Sequence, residues 1–150
     1  MVDVGEKAET ERVAEAVGML ITSAETIQVL ERGDAPKGDP LIVAQIAGIQ
    51  AAKRTAELIP LCHQLPLTRV DVRLDIDASL PGIRVRSEAR VVARTGVEME
   101  ALTAATVALL TMYDMLKAID RTMRIEGVRL TRKSGGRSGD WTADQNTSES

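Results

Sequence analysis

At 150 residues with 44% hydrophobic content, the chain is sized for one domain (1–150) built round a single core. A net charge of −3 and a pI near 5.3 exclude a generically basic nucleic-acid binder, so any cations that bind phosphate must be gathered locally. Phe is absent and Tyr113 and Trp141 are the only aromatics, which removes the stacking platforms of single-stranded RNA or DNA recognition.

Residues 1–11 are polar and aperiodic, an arm expected to be mobile or pinned by a neighbouring subunit. The first 25 residues lack the charged-then-apolar pattern of a secretion signal. From Val13 the alternation of Val13, Glu15, Val17, Met19 and Ile21 with Ala14, Ala16, Gly18 and Leu20 predicts a first strand. Thr22-Ser23-Ala24-Glu25 reads as a capping box opening a short helix that stops at Gly33. Asp39-Pro40 then supplies an N-cap and a first-turn proline for a longer helix over residues 41–59, ended by Pro60, with Lys53 and Arg54 in its last polar turn.

Between Leu67 and Ile76, Val70, Val72, Leu74 and Ile76 alternate with Asp71, Arg73 and Asp75, the pattern of a half-buried strand. A turn at Ser79-Leu80-Pro81-Gly82 leads to a second such strand, with Ile83, Val85, Ser87, Ala89 and Val91 facing inward against Arg84, Arg86, Glu88 and Arg90. The pair predicts an antiparallel hairpin with opposed charges outside. At about 100° per residue the apolar positions from Ala101 to Ile119 cover every face, which predicts a buried helix. Met123 to Thr131 offers a last strand with a bulge at Gly127, and residues 142–150 read as a disordered tail. The order is that of a ferredoxin-like split βαββαβ unit with one extra helix, an α+β sandwich with helices on one face of an antiparallel sheet. Its other face is either solvated or covered by a second copy.

Chemistry concentrates in few places. Glu98, Glu100, Asp114 and Lys117 lie in or beside the apolar stretch 95–119, where charge is costly. Glu100, Asp114 and Lys117 fall within an arc of roughly 100° on a helical wheel and are expected to line one cavity or meet one partner. Asp114 and Lys117 form either a self-satisfying salt bridge or an acid-base pair whose pKa values burial moves toward neutrality. The same charges interrupt the apolar run before it spans a membrane, so no membrane is expected. His63, the sole histidine, follows Pro60 in a loop and is either an ordinary polar residue or a proton carrier. Cys62, the lone cysteine, excludes an internal disulfide and fits a reducing cytoplasm. Cys62, His63, Glu98 and Glu100 could ligate a metal, but adjacent Cys-His lacks zinc-site spacing and none is expected. Two basic loops, around Lys37 and from Arg132 to Gly139, match no phosphate-binding fingerprint; the second is either an anion nest or a solvated turn.

Several segments carry a family resemblance: MVDV at 1–4, KGD at 37–39, AGIQAAKRT at 47–55, LIPLCH at 58–63, TGVEMEALTA at 95–104, Tyr113-Asp114-Met115 with Lys117, and KSGGRSGDW at 133–141. Over nearly all of residues 1–141 the chain resembles the molybdenum cofactor biosynthesis protein C family, the cyclic pyranopterin monophosphate synthases. It departs at Gly5, Gln64 and Leu116, where the family usually has serine, proline and cysteine. The resemblance implies a lyase that converts the 3′,8-cyclo form of dihydro-GTP to cyclic pyranopterin monophosphate and pyrophosphate. It implies Asp114, Lys117 and Lys37 as catalytic residues. Substrate contacts then fall on Leu61, Cys62, His63, Met99 and Glu100, with Glu98, Arg12, Lys53 and Lys133 as further pocket members. It also implies a small-molecule substrate, a homohexamer built as a trimer of dimers with shared sites, and no resident cofactor beyond magnesium that could accompany the triphosphate. Two other classes remain open from the residues alone: a nucleotide-sensing module without catalysis, and RNA binding on the sheet face.

Overall fold

The structure, a computed structural model, describes residues 1–143. In chain order it comprises β1 (Thr10–Ile21), α1 (Ala24–Arg32), α2 (Pro40–Lys53), α3 (Thr55–Leu58), β2 (Arg69–Asp77), β3 (Gly82–Ala93), α4 (Glu98–Leu116), β4 (Arg124–Ser134) and β5 (Trp141–Thr142). The strands form one antiparallel sheet in the order β2-β3-β1-β4-β5, with the helices against one face. This is the expected α+β arrangement with one short edge strand added.

The core follows from the alternation. Val72, Ile83, Val85, Ala89 and Val91 point to the helices and are buried, and on β1 the inward set is the small one, Ala14, Ala16 and Gly18, ending in Leu20. Small residues let α4 lie close to the sheet. They recur between the two long helices, where Ala44, Gly48 and Ala52 of α2 meet Ala101, Ala104, Ala105 and Ala108 of α4. A β-carbon added at Gly48 would stand 2.8 Å from the Ala104 carbonyl oxygen, so this contact has no room for a side chain. On the opposite face, ion pairs Asp71–Arg73, Asp77–Arg84 and Glu88–Arg90 sit in a solvated surface where each adds little.

Four sequence expectations change. β1 begins at Thr10 rather than Val13, because Thr10, Glu11 and Arg12 pair with Ala93, Val92 and Val91; cross-strand hydrogen bonding recruits residues whose polarity reads as an arm. The expected helix over residues 41–59 divides at Arg54. There Thr55 Oγ1 donates to the carbonyls of Ala51 and Ala52 (3.3 and 2.9 Å), a back-bond that bends a helix. Thr142 belongs to β5, and the Ala143 amide donates to the Thr131 carbonyl (2.9 Å), so the chain is still paired where a tail was expected. The rest of that tail lies outside the described residues. Finally, α4 is not covered all round. It leaves a stripe of Thr106, Leu110, Asp114 and Lys117 exposed, beside exposed Ile42, Val43 and Ile46 of α2.

Other signals hold. Ser23 caps α1 by accepting from the Thr26 amide, one residue beyond the predicted cap, and Gly33 ends the helix. Asp39 accepts from the amides of Leu41 and Ile42. The register of β1 with β4 slips between Val17 and Met19, where Gly127, at φ +63°, forms the bulge. α4 is long and apolar enough to cross a membrane by composition, but it packs between the sheet and α2.

Candidate active site

The named residues collect at the two ends of α4. At its N-terminal end, Ser87 of β3 donates through Oγ to the Ala101 carbonyl (2.6 Å) and fixes the first turn against the sheet. Arg12 of β1 donates from Nε to the Ala93 carbonyl and from Nη2 to the Arg94 carbonyl (both 3.3 Å), holding the connection that leads into α4. Arg12 is thus a residue of the sheet, not of the arm. Gly136, with φ +80°, lies flat against the Arg12 guanidinium, where any side chain would collide. Lys133 of β4 reaches over to Glu98, Nζ to Oε1 at 3.1 Å.

Beside this cluster opens a cleft of about 450 Å³, lined by Leu61, Cys62, His63 and Leu65, by Thr95 to Glu100 except Val97, and by Val2, Val4 and Lys7 of the arm. Glu100 is 4% exposed yet borders this space. Burial raises its pKa, the backbone amide of the helix start opposes the rise, and the Glu98 charge adds to it. Burial also raises the Cys62 pKa, with the Glu100 charge second, so Cys62 is a thiol rather than an activated thiolate. His63 Nε2 lies 2.8 Å from the Val2 carbonyl; since a carbonyl can only accept, Nε2 donates in this contact. Leu61 and Met99 are exposed apolar side chains at the rim. Among the described residues no three His, Cys, Asp or Glu side chains stand together as a metal site.

At the C-terminal end of α4, Asp114 is clasped by two lysines. Lys117 Nζ lies 2.8 Å from Oδ1, and Lys37 Nζ, from the loop before α2, lies 3.1 Å from Oδ2. The carbonyl of Asp114 also receives Lys37 Nζ at 3.4 Å, the orientation expected where a helix C-terminus attracts cations. The following loop is pinned by Asp120, which accepts from the Thr122 amide and from the hydroxyls of Thr122 and Thr22, and by Tyr113, whose hydroxyl donates to the Arg121 carbonyl. The expectation of a buried acid-base pair is corrected here. The Asp114 side chain is 54% exposed and Lys117 52%, and hydrogen bonds from Lys117 and then Lys37 lower the Asp114 pKa instead of moving it toward neutrality.

The single-cavity expectation from the helical wheel also fails within one chain. Glu100 and Asp114 share a helix face, but at ~1.5 Å per residue they stand about 20 Å apart along it. Angular position is one coordinate of two.

A family model described as the MoaC family matches residues 1–136. The chain belongs to that family. Similar relatives carry the name cyclic pyranopterin monophosphate synthase. The one from Methylobacterium sp. (strain 4-46) is 60% identical over 144 residues, covering 96% of this chain and 90% of the relative. The one from Methylobacterium nodulans is 58% identical over 144 residues, with the same coverage. The one from Brucella ovis is 58% identical over 141 residues, covering 94% of this chain and 86% of the relative.

In this MoaC-family chain the fold gathers Leu61, Cys62, His63, Glu98, Met99 and Glu100 round one cleft and sets Arg12 and Lys133 beside it, with Glu98 and Gly96 bordering both spaces. Lys53 stands in the adjoining groove with Ile49, Leu67 and Arg69, sharing Leu65 with the cleft. Lys37, Asp114 and Lys117 form the separate cluster. Sequence reasoning missed the arm: Val2, Val4 and Lys7 line the cleft, and the MVDV match was the only sign that those residues have a fixed place.

Proposed function

We propose that this chain is a cyclic pyranopterin monophosphate synthase, converting the 3′,8-cyclo form of dihydro-GTP to cyclic pyranopterin monophosphate with release of pyrophosphate in molybdenum cofactor biosynthesis. The observation that carries the chemistry is the Lys37–Asp114–Lys117 cluster, one carboxylate between two ammonium groups at the surface of a MoaC-family fold. At rest Asp114 is ionised and a weak base, since both cations favour its charged form. A triphosphate that draws the two lysines to its own oxygens removes that stabilisation, so arrival of the substrate raises the basicity of Asp114 at the moment a proton must move. The same ammonium groups then face the negative charge that grows as pyrophosphate departs.

The other cluster suits the ring system. Glu100, with its raised pKa, can offer or take a proton nearer neutral pH, and Glu98 and the His63 loop offer acceptors to the N–H groups and donors to the carbonyl and ring nitrogens of a guanine-derived ring. Ring opening, ring closure and phosphate cyclisation shift protons and a phosphoryl group without net oxidation, so no resident redox cofactor is required, and magnesium would enter with the triphosphate.

The separation of about 20 Å along α4 supports a site completed by two copies, the Asp114 end of one meeting the His63 cleft of another. The exposed Ile42, Val43 and Ile46 of α2 and Leu110 of α4 support association as well, since a single chain leaves these large apolar side chains in water. We assign the chain to a homohexamer, a trimer of dimers, in the cytoplasm, where the single thiol stays reduced.

The direct test is to incubate the purified protein with the cyclised nucleotide and to measure the tricyclic product and pyrophosphate. Asp114→Asn should bind the nucleotide with near-unchanged affinity and lose at least about a hundredfold in turnover. Equal loss of binding and turnover would favour the alternative of a nucleotide-sensing module of the same fold.

A further inference from the structure

Among the described residues, Gly96 and Glu98 are the two that line both the His63 cleft and the Arg12–Lys133 pocket, so the wall between those spaces is built from them. The Glu98 carboxylate folds back over Gly96. A β-carbon added at Gly96 would overlap Glu98 Oε2 and stand 2.8 Å from Cδ and 2.9 Å from Oε1, well inside the ~3.5 Å at which non-bonded carbons pack. In this pose Oε1 meets Lys133 Nζ at 3.1 Å. The carboxylate takes the space that a side chain at position 96 would need.

The backbone that carries Gly96 has little freedom to yield. Before it, Arg12 donates to the Ala93 and Arg94 carbonyls; after it, Val97 is 1% exposed and its carbonyl accepts from the Ala101 amide (3.2 Å) as α4 begins. Glu98, in contrast, ends in a carboxylate on a rotatable stem and is partly open to solvent. A side chain at position 96 would therefore displace that carboxylate and leave the fold in place. Backbone strain plays no part, because Gly96 has no positive φ, unlike Gly135 across the pocket, and alanine there would reduce the freedom of the unfolded chain. The gap serves the carboxylate.

We propose that Gly96 is a positioning residue of this site, which by lacking a side chain seats the Glu98 carboxylate between the cleft and Lys133, in place to accept from the N–H groups of the nucleotide's ring. The inference rests on the synthase reading for the identity of that nucleotide. Gly96 acts on the ligand through Glu98 alone.

Gly96→Ala should melt at or above the temperature of the parent protein and lose about tenfold in kcat/KM for the cyclised nucleotide. In a Glu98→Ala background the same change should cost less than about twofold, since the group it displaces is gone. Independently of turnover, the Cε NMR resonance of Lys133, assigned by its loss in Lys133→Arg, should move in Gly96→Ala toward its position in Glu98→Ala. An unmoved resonance would overturn the proposal, as would a kcat/KM equal to that of the parent or an undiminished loss in the Glu98→Ala background. A melting temperature that falls together with activity would overturn it too, because that is the mark of a glycine the fold itself needs. Should the unaltered protein fail to turn over the nucleotide, the synthase reading is what falls; the Lys133 resonance then decides the role of Gly96 by itself.

Discussion

Glu100 is under opposed influences: the start of α4 favours its charge and burial disfavours it, and burial prevails. A carboxyl whose pKa is raised on folding holds its proton more firmly in the folded state than in the unfolded one. Stability is therefore lost as pH climbs from the ordinary value of 4.5 through the raised folded value. Glu100→Gln should melt with the parent protein at pH below the ordinary carboxylate range and above it at neutral pH; a variant no more stable at pH 7 would contradict this assignment. Asp114 shows the limit of reading single residues. The sequence marks it out as charged amid apolar neighbours, and the structure does place it in a cluster of chemistry-bearing groups. Its environment was not legible, because exposure depends on which stripe of α4 the rest of the chain covers, and Lys37, whose ammonium helps lower its pKa, lies 77 residues away in sequence.

Packing of α2 on α4 is a contact between small residues, and its tolerance is set by Gly48. Gly48→Val would force side-chain atoms into the Ala104 carbonyl and toward Val72 and Ala108, with cost of about 1–3 kcal/mol or more. The urea midpoint should fall at unchanged m; a midpoint equal to that of the parent would show that the helices separate freely here. Elements with strict alternation or with Asp39-Pro40 chemistry were legible because their signals are local. The start of β1 and the break at Arg54 were not. The first depends on β3 strand pairing some eighty residues away, and the second on one threonine hydroxyl choosing backbone carbonyls.

For the molecule as a whole, the separation of the two clusters can be tested without a further structure. If sites are shared, an equimolar mixture of Asp114→Asn and His63→Ala chains, dissociated and reassembled, should regain about a quarter of the parent activity, because mixed pairs build one intact site. No recovery would mean that each chain works alone. The order of the fold was readable from the sequence because alternating strands and capped helices specify their own sequence along the chain. Which apolar residues stay exposed was not, since Ile42 and Leu110 satisfy the pattern of a core helix.

The pairing of β5 with β4 has a practical result. The sole indole of the protein, on Trp141 and 44% exposed, is clamped opposite Lys133 in the sheet register. An emissive side chain thus stands one strand away from Lys133, whose own side chain meets Glu98, and a change in its colour or brightness on adding nucleotide would report ligand arrival with no dye attached.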